Sequence, residues 1–146
     1  MLRDFNWKTL IAIGLLAGLI QVAAGIAMYV LGIYFRPWSI AISLAVLLLC
    51  IVNLTPRYRD RALNGHLSYR QALIVGIVIS VCTGIVYAVY NLISISFFYP
   101  NFLRNMPEGM TAKTIALSNL IRLSLFGTWL SIFVGFRLKD KTQKLS

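Results

Sequence analysis

The sequence predicts an all-α integral membrane protein, a four-helix antiparallel bundle with both termini on the cytoplasmic side. Three observations carry that prediction. Four long apolar runs, at about residues 9–35, 38–54, 68–98 and 111–136, take up most of the 146 residues. Each approaches or exceeds the roughly 20 apolar residues a helix needs to cross a bilayer core. Composition agrees: 59% of the residues are hydrophobic and 12% are charged, and away from their ends the runs hold one formally charged side chain, Arg122. Finally, the basic residues are unevenly shared between the connectors. Arg3 and Lys8, then Arg57, Arg59, Arg61 and Arg70, then Arg137, Lys139, Lys141 and Lys144 fall on one side. Arg36, Arg104 and Lys113 fall on the other. The positive-inside rule puts the richer side, with the 55–67 loop, in the cytoplasm.

The short polar connectors leave no room for a soluble domain, so residues 1–146 read as one transmembrane domain. The first run is too long and too rich in glycine for a cleaved signal peptide and reads as a retained span. Gly14, Gly18, Gly25 and Gly32 share its face, with Gln21 among them. Small residues let another helix approach closely, and a mid-membrane amide must face protein. One interhelical hydrogen bond from Gln21 is therefore expected. Tyr34, Pro37 and Trp38 mark a tight turn into span two, which carries Ser39, Ser43, Cys50 and Asn53 along one side. Asn53-Leu54-Thr55 matches a glycosylation sequon but lies at the cytoplasmic boundary, where it has no use.

Thr55-Pro56 suggests the cap and first position of a short loop helix, and Gly65 its end. Ser68 with Gln71 makes a capping-box pattern opening span three. There Ala72, Gly76, Ser80, Thr83, Gly84, Tyr87, Asn91 and Ser94 form a second small or polar stripe. Pro100 ends that span, and the segment Asn101–Met110 should lie at the interface. In span four Ser124, Gly127, Thr128, Ser131 and Gly135 make a packing side. Arg122 stands away from them with Phe126, Trp129 and Phe133, which places it toward the periphery. The small faces of spans one and three should pack near the centre.

Catalytic chemistry finds little purchase. The carboxylates are Asp4, Asp60, Glu108 and Asp140, and the one histidine is His66. Asp60 among its arginines reads as a solvated ion pair and His66 as an exposed loop residue. No carboxylate lies in a span, as an ion-coupled pump would ordinarily need. Cys50 and Cys82 have no metal-ligand spacing and read as packing residues. The expectation is a non-enzyme without cofactor or metal. The net charge of +10 is read as topology plus contact with anionic headgroups at the cytoplasmic face, not as nucleic-acid binding. Arg122 has two readings. It snorkels to the headgroups, or it captures an anionic group with Asn91 at similar depth and Asn119 one turn away.

Tyr58-Arg59-Asp60, Asn64-Gly65, Leu67-Ser68-Tyr69, Gln71-Ala72-Leu73, Gly76, Tyr87, Tyr90 and Tyr99-Pro100-Asn101-Phe102 resemble a family of small four-span Bacteroidota membrane proteins, domain of unknown function 4199. The resemblance implies a multi-pass protein of the bacterial inner (cytoplasmic) membrane with no assigned activity. Family members often carry aspartate where Asn101 stands and lack an arginine at the Arg122 level. Any role for Arg122 would then be particular to this chain.

Two functional classes follow. One is a non-catalytic component that binds a membrane-protein partner or a second copy through its small faces and a cytoplasmic loop, Arg57, Tyr58, Arg59, Asp60 and Arg61. The other is a small transporter or a lipid- or anion-binding protein using Gln21, Asn91 and Arg122 as a polar site. The scarcity of intramembrane polar groups favours the first. A water-accessible path past Gln21 and Asn91 would favour the second.

Overall fold

The structure, a computed structural model, describes residues 5–34, 36–98, 104 and 108–143, the last six as backbone only. Four long helices form an all-α bundle, with no strand among the described residues. They are α1 (Trp7–Val30), α2 (Trp38–Ala62), α3 (Tyr69–Ile93) and α4 (Ala112–Gln143). All four are long and apolar enough to cross a membrane. Their outward surface is correspondingly apolar, with Leu19, Leu49, Leu125 and Trp129 among the exposed side chains. Lipid, not water, is the solvent such a surface fits.

The start of α1 is capped by Asn6, whose side chain accepts from the Thr9 N–H at 3.2 Å. The capping box at Ser68 is formed in both directions. Ser68 Oγ accepts from the Gln71 N–H at 3.3 Å, and Gln71 Oε1 accepts from the Ser68 N–H at 2.9 Å. Thr111 Oγ1 accepts from the Thr114 N–H at the entry to α4. These side chains satisfy backbone donors that a helix start leaves free.

Helix α3 is the spine of the bundle. Every member of its small or polar stripe, from Ala72 to Ser94, is buried. Toward α1, a Cβ added at Gly14 or Gly18 would stand 2.7 Å from Cys82 Cβ or 2.6 Å from Val86 Cβ, so only glycine fits. Toward α4, Gly76 lies under Ser131 and Gly127 lies under Ser80. Each serine turns its hydroxyl back along its own helix: Ser80 Oγ donates to Gly76 O at 2.7 Å and Ser131 Oγ to Gly127 O at 2.6 Å. Both polar side chains are thereby satisfied inside an apolar bundle, and the two backbones approach as closely as the glycines allow.

Two expectations need correction. Helix α2 does not stop at Leu54. It runs on to Ala62 with Pro56 inside it. Pro56 lacks the N–H that would bond back one turn. The helix persists because Leu54, Thr55 and Tyr58 are buried against the bundle, Tyr58 stacking on Phe5 at 6.4 Å. It ends where the Leu63 and Gly65 N–H groups both donate to Arg59 O, with Asn64 and Gly65 at positive φ. Gly32 is not part of the α1 face. It lies in the turn at φ 70°, exposed. Span three keeps its expected extent, α3 passing into a π-helical turn, Ser94–Phe98, while Pro100 and most of Asn101–Met110 lie outside the described residues.

Candidate functional site

The α2 sequence creates a void. In its first turns Ser39 and Ser43, four residues apart, present short side chains inward, whereas Leu47 and Ile51 further on are fully buried and fill the same space. A cavity of about 450 Å³ results at the end of the bundle that holds the α1–α2 turn. Ser39, Ile40 and Ser43 form one wall; Tyr87, Asn91 and Ile95 of the α3 segment form the second. Ile115, Asn119 and Arg122 of α4 form the third, and Tyr34, Arg36 and Pro37 of the turn lie over them.

Each polar side chain has a local reason for its position. Gly25 makes room for the rings of Tyr87 and Tyr90, which stack with centroids 5.8 Å apart. That fixes Tyr87 with its hydroxyl near Tyr34 and Asn91 and within the field of Arg122. Tyr34 Oη donates to Asn91 Oδ1, tying the turn to α3. Asn91 Nδ2 donates to Tyr87 O at 2.8 Å. The π-helical turn after α3 widens the helix locally and brings Ile95 into the lining. On α4, Ile115, Asn119 and Arg122 recur at helical spacing along one stripe.

Gln21 is fully buried and does make the interhelical bond its position predicts: its Nε2 donates to Ser43 Oγ and to Ser43 O, the latter at 3.2 Å. It braces the cavity wall from behind without lining it. Its Oε1 has no hydrogen-bond partner among the described residues. Of the three polar residues grouped by sequence, the structure brings Asn91 and Arg122 to one cavity and sets Gln21 behind its wall. Arg122 is half-buried: its stripe on α4 faces Ser39 and Ser43 across the void, and the residue also borders the outer surface of the helix. Tyr34, Arg36, Ser39 and Ser43 were not foreseen as site residues. The spacing of two serines before a buried leucine is the signal that could have marked them.

The 57–61 segment divides differently. Tyr58 is fully buried and cannot meet a partner; Arg57, Asp60 and Arg61 are exposed on the last turns of α2. Arg59 Nε pairs with Asp60 Oδ1 at 2.7 Å, the ion pair expected there. His66 is exposed. Both cysteines are free thiols, Cys50 buried and Cys82 against Gly14.

The electrostatics of the cavity are one-sided. Two arginines, the exposed Arg36 and the half-buried Arg122, belong to a lining with no aspartate or glutamate among the described residues. Among the described residues the ion pair within 4 Å is Arg59–Asp60, at the other end of the bundle. A family model described as protein of unknown function (DUF4199) matches residues 12–124, well over half of the chain. The chain belongs to the DUF4199 family. The matched segment takes in every residue lining the cavity. No curated protein and no solved structure matches this DUF4199 chain.

Proposed function

We propose that this DUF4199 chain is a non-catalytic, anion-binding membrane protein that holds a negatively charged group in the cavity beneath the α1–α2 turn. One observation carries the reading: Arg36 and Arg122 share a partly enclosed lining without a carboxylate among the described residues. Arg122 is half-buried in a span, where a cation is costly unless paired, and a bound anion supplies the missing charge. Asn91, Asn119, Ser39 and Tyr87 add neutral hydrogen-bonding groups around it. Among the described residues the lining holds no histidine, cysteine or carboxylate, which supports binding over acid–base or nucleophilic chemistry.

The distribution of basic residues supports an inner-membrane placement with both termini cytoplasmic, so the cavity opens toward the outer leaflet. Arg57 and Arg61, exposed beyond the apolar part of α2, then meet anionic headgroups on the cytoplasmic face.

The test is thermal unfolding of the delipidated protein in neutral detergent, titrated with inorganic phosphate and with hexyl phosphate. At least one probe should raise Tm saturably, since binding to the folded state at about 100 times Kd contributes about 2.7 kcal/mol. Arg122→Gln should weaken the effect about tenfold. A wild-type protein indifferent to both anions refutes the reading.

A further inference from the structure

We infer that the bound anion is the headgroup of a membrane phospholipid, with its phosphate at Arg122 and an acyl chain lying along the outer face of α4. The inference rests on the anion-binding reading of the cavity and names its ligand. Arg122 lines two concavities. One is the polar cavity; the other is a groove of about 420 Å³ walled by Thr114, Leu117, Ser118 and Ile121. Leu117 and Ile121 are 57% and 51% exposed, so this groove opens sideways, where the bilayer lies. Thr114 and Ser118 are four residues apart, and their short side chains leave a trough beside the two larger ones.

The guanidinium thus stands at a lateral doorway between a polar chamber and an apolar channel. A small anion arriving from water has no use for the channel. A phospholipid uses both parts, its phosphate meeting the guanidinium in charge-assisted hydrogen bonds and its chain covering Leu117 and Ile121. The chamber also selects among headgroups. With no carboxylate among the described residues of the lining, the ammonium of a zwitterionic headgroup would find no counter-charge from them. An anionic headgroup bearing hydroxyls finds Asn91, Asn119, Ser39 and Ser43 as partners.

The same delipidated protein is titrated with phosphatidylglycerol, phosphatidylcholine and inorganic phosphate, reading half-saturation from Tm. Phosphatidylglycerol should half-saturate at a concentration about tenfold or more below either alternative. Ser118→Trp, which fills the groove from a position outside the cavity lining, should raise that concentration about fivefold or more. Leu117→Trp serves as a second plug, and the ranking of ligands on the wild-type protein needs neither variant. If inorganic phosphate matches phosphatidylglycerol, the lipid inference falls while anion binding stands. If phosphatidylcholine matches it, the selection by charge is refuted. If none of the three binds, the reading of the cavity fails with it.

Discussion

Gly76→Ala is the perturbation that tests the bundle's central contact. A Cβ at Gly76 would stand 2.5 Å from Ser131 Cβ, against the 3.4 Å at which ordinary contact begins. Rotating Ser131 moves its hydroxyl but not its Cβ, which the α4 backbone fixes. The helices must therefore part by about 1 Å, a gap that forfeits a quarter to a half of the dispersion energy between the facing atoms. Overpacking of this kind costs roughly 1–3 kcal/mol, and rigid backbone on both sides puts it near 3. Alanine's better helix propensity returns up to about 1 kcal/mol, leaving a net loss of about 2 kcal/mol.

The reciprocal change supplies the control. Ser131→Gly removes the opposing Cβ, so the double variant should recover most of the loss, with a coupling energy of about 2 kcal/mol in a double-mutant cycle. The assay is unfolding in mixed detergent, followed by circular dichroism. Gly76→Ala at wild-type stability, or a double variant no better than the sum of the singles, refutes the close crossing.

Four further outcomes follow from the same geometry. Tyr58→Ala should cost about 3–5 kcal/mol in that assay, as expected for a fully buried aromatic and not for an exposed loop residue; a neutral result would return Tyr58 to the surface. Pro56→Ala restores an N–H inside α2 and should stabilise by about 1 kcal/mol, whereas destabilisation would mean that the helix depends on its proline. Ser68→Ala removes the α3 cap and should cost about 1 kcal/mol, read by the same unfolding curve. Ser39→Leu fills the cavity and should weaken hexyl phosphate binding about tenfold without loss of stability; unchanged binding would place the anion elsewhere.

Most of the bundle was legible because lipid simplifies the code. In an apolar helix a stripe such as Gly76, Ser80, Thr83, Gly84 and Asn91 has no reason to face hydrocarbon, so its burial follows from periodicity alone. Gly14, Gly18 and Gln21 were readable for the same reason. The capping box at Ser68 and Gln71 is local chemistry and needs no tertiary information.

The errors arose where local and tertiary signals compete. Thr55-Pro56 has the chemistry of a helix start, but the burial of Tyr58 against Phe5 carries α2 through the proline. Gly32 fits the α1 face by spacing, yet the turn requires its positive φ. The cavity was the least legible feature. It exists because Ser39 and Ser43 on α2 face Ile115, Asn119 and Arg122 some 80 residues later. Helical spacing on α4 alone gives Arg122 bulky neighbours and says nothing of the void across from it.

The most direct test of the account is a nitrogen–phosphorus distance. Protein with 15N-labelled arginine guanidinium groups, in bilayers containing phosphatidylglycerol, can be compared with Arg122→Gln by solid-state NMR. The expected result is strong dephasing of a guanidinium component against 31P at hydrogen-bonding range in the wild-type protein, of which the share due to Arg122 is lost in the variant while that of the exposed arginines remains. Identical dephasing in the two proteins would leave Arg122 without a phosphate and contradict it.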